Sequence, residues 1–152
     1  MMKENKTEID NRTELEQSID EIIEKARKTS NTFILETAKL IKSELSRNKY
    51  SENPISELEV LQQMAKTRAK TIAIYDKVGR YDLRDKDAKE LGFIKEFIPK
   101  EPSDQEIEEL ITKLIEATTL TINDTKDVIA EVQNSFPTAQ KSTIVKIFKS
   151  LL

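Results

Sequence analysis

Between Lys66 and Lys86, seven basic residues (Lys66, Arg68, Lys70, Lys77, Arg80, Arg84 and Lys86) stand against three acids, Asp76, Asp82 and Asp85. Clustered ammonium and guanidinium groups do electrostatic rather than covalent chemistry: they neutralise phosphates, and each such contact adds a salt-dependent increment of affinity for a polyanion. The same pattern also describes an ordinary solvated helix face. Arg68 differs from the others. On a helical wheel Leu61, Met64, Ile72 and Tyr75 define an apolar face, and Arg68 falls near its centre, one heptad from both Leu61 and Tyr75. Burying a guanidinium there unpaired is costly. Two expectations follow: an ion pair that fixes helix register, or a phosphate or partner contact made through a gap in the bundle. Tyr75 and Tyr81 flank the cluster and offer rings on which bases can stack, although Tyr75 also sits at core spacing.

Other chemistries are excluded by what is missing. The 152 residues contain no Cys and no His, which removes disulfides, thiolate catalysis, the commonest general acid/base and the commonest transition-metal ligand. With only Gly79 and Gly92, no glycine-rich phosphate loop can form. Adjacent acids such as Glu108 and Glu109, or the pair Asp85 and Asp87, face different ways on a helix and do not converge. No catalytic residue, metal site, cofactor or small-molecule substrate is therefore expected. Net charge is only −3, so nucleic-acid binding would have to come from a local patch. The chain is polarised along its length, because Ser103 to Asn123 carries five acids (Asp104, Glu106, Glu108, Glu109 and Glu116) against the single base Lys113. The polar start, with Glu4, Glu8 and Asp10, lacks the apolar core of a secretory signal, and no apolar run approaches a membrane span. A cytoplasmic protein is expected, with a disordered N-terminus over residues 1–13.

The elements that must position these groups are helices. A charged fraction of 35% with 5% aromatics favours helices with a solvated surface, and no strand pattern finds a partner. Leu15, Ile19, Ile22, Ile23 and Ala26 keep helical spacing up to the break at Thr29 to Thr32, and Ile34, Ala38, Ile41 and Leu45 continue it to about Asn48. Together they predict a helical hairpin. A third helix should start at a capping box of Ser56 with Glu59, stapled by Ile55 against Val60, and run to about Val78, where Gly79 can turn left-handed. A fourth begins near Asp82 as its cap and carries Leu83, Ala88, Leu91, Ile94, Phe97 and Ile98 to the stop at Pro99. Lys100 to Pro102 reads as a stiff linker between a helical subdomain at 14–99 and a three-helix subdomain at 103–152. In the second, Ser103 with Glu106 caps a helix bearing Ile107, Leu110, Ile111, Leu114 and Ile115. Thr118 to Ile122 is expected as a loop anchored by buried Leu120 and Ile122. A sixth helix carries Val128, Ile129 and Val132, and a seventh, past Pro137, carries Ile144, Val145, Phe148, Leu151 and Leu152. The seventh is amphipathic between Lys141 and Lys149 and should pack within its subdomain rather than adsorb to a membrane.

Arg68, Lys70, Ile72 and Tyr75, then Gly79-Arg80-Tyr81-Asp82-Leu83, then Glu96-Phe97-Ile98-Pro99 and Ser103-Asp104-Gln105-Glu106-Ile107, resemble the YqeY-like proteins. That family is similar to the C-terminal helical and tail region of GatB, the B subunit of the tRNA-dependent amidotransferase. The resemblance covers roughly Leu15 to Leu152, with departures at Lys39, at Lys126-Asp127 and at Gln140-Lys141. It implies a two-part all-α protein whose partners are tRNA or an amidotransferase complex. GatB's catalytic machinery lies outside the region that this chain resembles. The chain is accordingly expected to be a non-catalytic tRNA-binding or amidotransferase-associated protein, using Lys66, Lys70, Lys77, Arg80 and Arg84 on phosphates with Arg68 as pivot. The alternatives are a protein-protein adaptor without nucleic acid and an accessory to glutamine-dependent carbon-nitrogen ligation.

Overall fold

The structure is a computed structural model that describes residues 10–152. Within these residues it is all-helical, without strands: α1 (Glu14–Lys28), α2 (Thr32–Lys49), α3 (Glu57–Lys77), α4 (Tyr81–Lys95), α5 (Asp104–Ala117), α6 (Thr125–Ser135) and α7 (Lys141–Leu151), plus a 3-10 turn at Ile122–Asp124. Two compact units divide between Ile98 and Pro99.

The first unit consists of two helical hairpins, α1 with α2 and α3 with α4. Its core is Ile19 and Ile23 of α1, Ala38, Ile41 and Leu45 of α2, Val60 and Leu61 of α3, and Ile94 of α4. Both hairpin turns use the same device. At the end of α3 Gly79 (φ 77°) donates to Asp76 O at 3.3 Å and Arg80 N to Tyr75 O at 2.9 Å, which satisfies two terminal carbonyls. At the end of α1 the left-handed residue is Ser30 (φ 56°), with Ser30 N bonding Arg27 O and Asn31 N bonding Ala26 O. Asn31 then caps α2 by accepting from Ile34 N.

Several sequence expectations need correction at this level. Asp82 is not the cap of α4. The cap position is Arg80, which makes no side-chain capping bond, and Asp82 lies inside the first turn, where its charge suits the helix N-terminus. Ser56 does accept from Glu59 N, but the Glu59 carboxylate returns to the Ser56 hydroxyl, so only half of a capping box forms. Ala88 is exposed, because the inner face of α4 runs through Leu83, Glu90, Leu91 and Ile94. Residues 1–9 of the expected disordered segment lie outside the described residues. Its remainder is tied down: Thr13 caps α1 and donates to Glu57 at 2.7 Å, and Lys49 donates to Asn11 O. Arg12 bridges Asp10 and Asp20, and its guanidinium holds the Asp10 carboxyl at about 2.

The second unit packs α5, α6 and α7 around Ile107, Ile111, Val128, Val132, Ala139, Ile144 and a fully buried Phe148. The Ser103 and Glu106 capping box is complete. Lys100 and Glu101, expected as linker, are bonded to this unit: the Thr138 hydroxyl donates to Lys100 O and Gln140 Nε2 to Glu101. Leu120 packs at the margin of the core as expected. Ile122 is exposed, since Thr121 and Asp124 close a short capped turn that directs it outward.

Asp20 accepts from Lys42 at 2.7 Å and from Arg12 at 2.8 Å, and these bonds, Lys42 first, hold its carboxyl below the usual range. A depressed folded pKa gives stability that is full above the unfolded value near ~4 and is lost as pH falls through the folded value. The urea midpoint should therefore decline below about pH 4, and less steeply in Asp20→Asn. The two turns give a second check. Gly79→Ala has room for its Cβ but must hold a positive φ, so it should cost about 1 kcal/mol, whereas Ser30→Gly should cost nothing measurable.

Candidate functional site

From Gln62 to Phe93, through most of α3 and α4, no residue is buried. The two helices pack chiefly on one another, with half-buried Ile72, Tyr75, Leu83 and Leu91. Arg68 lies on this inner face. Its Nη2 donates to Glu90 Oε2 at 3.1 Å, both side chains being largely covered, and its Nε is shut from solvent with no acceptor. The ion-pair expectation for Arg68 thus describes the arrangement. Beside it, Leu40 and Glu44 of α2 and Val60, Gln63, Met64 and Thr67 of α3 line a cleft of about 270 Å³.

Glu90 was missed at the sequence level, although a signal exists. A hairpin closed at Gly79 brings together residues equally far from the turn, and Arg68 and Glu90 each stand eleven residues from it.

The remaining bases separate into two sets, with Lys86 apart from both, exposed on α4 and without an ion pair among the described residues. Arg80 and Arg84 are engaged locally. Arg80 reaches Asp82 with two bonds of 3.3 Å, which raises the guanidinium pKa and lowers that of Asp82. Arg84 binds Asp76 at 2.7 Å and Asp85 at 3.1 Å, Asp76 contributing most to its raised pKa, and lies 4.5 Å from the centroid of the Tyr81 ring. Lys66, Lys70 and Lys77 are exposed and make no ion pair among the described residues. At about 100° per residue they fall within about 20° of the direction opposite Arg68. Their spacing along the axis is about 6 Å and then about 10 Å.

A further feature escaped the sequence reading because it is an absence: no acid occurs between Val60 and Tyr75. Gln62, Gln63, Lys66, Lys70, Ala73 and Ile74 all lie exposed on the outward face of this acid-free stretch. Of the five bases expected on phosphates and the pivot Arg68, then, Lys66, Lys70 and Lys77 form one line. Arg68 faces inward, and Arg80 and Arg84 are held by carboxylates at the hairpin end. Tyr75 is half-buried and Tyr81 exposed.

Among the described residues no group of His, Cys, Asp or Glu could hold a metal, and no helix is long and apolar enough to cross a membrane. The arrangement offers fixed positive charge and hydrogen-bond donors, a chemistry of binding. In comparison with known proteins, the family model described as "Yqey-like protein" matches residues 7–152. No curated protein matches the chain.

Removing Glu90 alone leaves a covered guanidinium without its acceptor, whereas removing both partners does not. Glu90→Leu should lower stability by about 1–3 kcal/mol, and Arg68→Met combined with Glu90→Leu should recover most of the loss. Denaturant midpoints of the two single variants and the double variant measure that coupling.

Proposed function

The chain belongs to the YqeY-like family, and from that premise we propose that it is a non-catalytic RNA-binding protein, with tRNA as the substrate class, that holds phosphates along the outward face of α3. One observation carries this reading: Lys66, Lys70 and Lys77 stand in a single exposed line, unpaired among the described residues, and the first two lie in a stretch free of acids from Val60 to Tyr75. Gln62 and Gln63 extend that face with neutral donors and acceptors. Carboxylates beside Arg80 and Arg84 offset the charge those two present to a polyanion, so the binding set is narrower than the basic cluster as a whole.

The resemblance to the GatB tail region supports tRNA over other polyanions. Association with an amidotransferase complex is compatible with the same surface and requires no catalytic group here. An adaptor role without nucleic acid is favoured by a different observation, the exposed Glu108, Glu109 and Glu116 on α5, which suit a basic partner surface. Crosslinking in lysate with and without nuclease separates the two readings, since only RNA-dependent adducts disappear.

Filter binding to bulk tRNA provides the direct test. Three phosphate contacts imply a slope of about −2 to −3 in log K against log salt, and Lys66→Gln, Lys70→Gln and Lys77→Gln together should flatten it. Salt-insensitive binding, or no binding at low salt, would sink the proposal.

A further inference from the structure

The end of the α3–α4 hairpin holds three large apolar side chains in solvent: Ile74 at 60% exposure, Val78 at 63% and Tyr81 at 54%. Ile74 and Val78 are one helical turn apart, and the wheel places Ile74 beside the line of Lys70 and Lys77. Tyr81 opens α4 on the other side of the Gly79 turn. Its ring is backed by the Arg84 guanidinium at 4.5 Å, and Arg84 is clamped in turn by Asp76 and Asp85. A ring backed in this way is held in one direction, so presenting its open face to a ligand costs little side-chain entropy.

An apolar patch alone names no partner, but here its neighbours do. The acids at this end are committed to Arg80 and Arg84, while Lys77 and Lys70 lead away from it along α3 without carboxylate partners among the described residues. Aromatic face, small apolar ledge and adjoining cations are the components with which proteins hold an unstacked base and its phosphates. We propose that the hairpin end receives an unpaired nucleotide, its base stacked on Tyr81 with Val78 and Ile74 as the apolar ledge, while the strand's phosphates continue along Lys77 and Lys70. The inference rests on the phosphate track described above and adds to it a preference for RNA with unpaired bases over continuous duplex.

Fluorescence anisotropy of the full chain with two labelled RNAs separates the two readings. One RNA is a blunt duplex, and the other is the same duplex interrupted by an unpaired loop. The wild type should bind the looped RNA more tightly. Tyr81→Leu, an exposed substitution that keeps the apolar area, should weaken looped RNA about tenfold and leave the duplex unchanged, and Tyr81→Trp should retain the preference. The triple Lys→Gln variant should weaken both RNAs alike. If Tyr81→Leu affects both RNAs equally or neither, the stacking inference fails while the phosphate track stands. If the wild type binds neither RNA, the track itself fails and the inference falls with it.

Discussion

The first unit depends on a constraint of thickness. For most of their length α3 and α4 form a two-helix layer in which no side chain is fully buried, running out to the Gly79 turn from the core contacts of Val60, Leu61 and Ile94 at the open end of the hairpin. In such a layer the small amount of covered space between the helices must supply both cohesion and register. Ile72, Tyr75 and Leu83 provide partial apolar cover, and the Arg68 to Glu90 pair makes a directional contact that an apolar pair would not. Sliding one helix by a residue would separate these groups and leave two charges covered and unpaired. With Arg68 turned inward between the helices, the helical period directs positions 66, 70 and 77 to the opposite face, but it does not require that lysines occupy them.

The division of labour between arginine and lysine has a chemical basis. Arg80 and Arg84 sit where acids are close in sequence or across the turn, and the planar fork of a guanidinium binds two acceptors at once, as Arg84 does with Asp76 and Asp85. These pairs are exposed and worth little to stability individually. What they do is order the hairpin end and hold the Tyr81 ring. Lys66, Lys70 and Lys77 form no ion pair among the described residues, so their charge remains available to an external anion. Counting the seven bases together, as the sequence invites, mixes structural cations with available ones.

Most of the fold was legible because it rests on local rules. Steps of three and four located the apolar stripes, and Ser103, Glu106 and Gly79 each do what their position predicts. The errors share a physical cause. Asp82 suits a cap by residue type, but the chain places the cap at Arg80, and a shift of two positions is enough to turn a capping group into a first-turn charge. Ile122 was expected to be buried because it is apolar, but the Thr121 and Asp124 cap fixes a turn that overrides hydrophobicity at a single exposed position. Glu90 was overlooked because pairing across a hairpin depends on the turn centre, which periodicity along one helix does not contain.

Family likeness and the binding reading draw on different residues, and this sets how far the first can support the second. Gly79 to Leu83, Pro99 and Ser103, which carry much of the resemblance, are accounted for by chain reversal and capping. The line of Lys66, Lys70 and Lys77 has no such structural duty: each is exposed and stabilises no neighbour by an ion pair among the described residues. Such cations cost the fold little to keep or lose. Their alignment opposite Arg68, unpaired among the described residues, is therefore the feature of α3 that folding alone does not require, and it is the reason for placing function there rather than at the more recognisable turn.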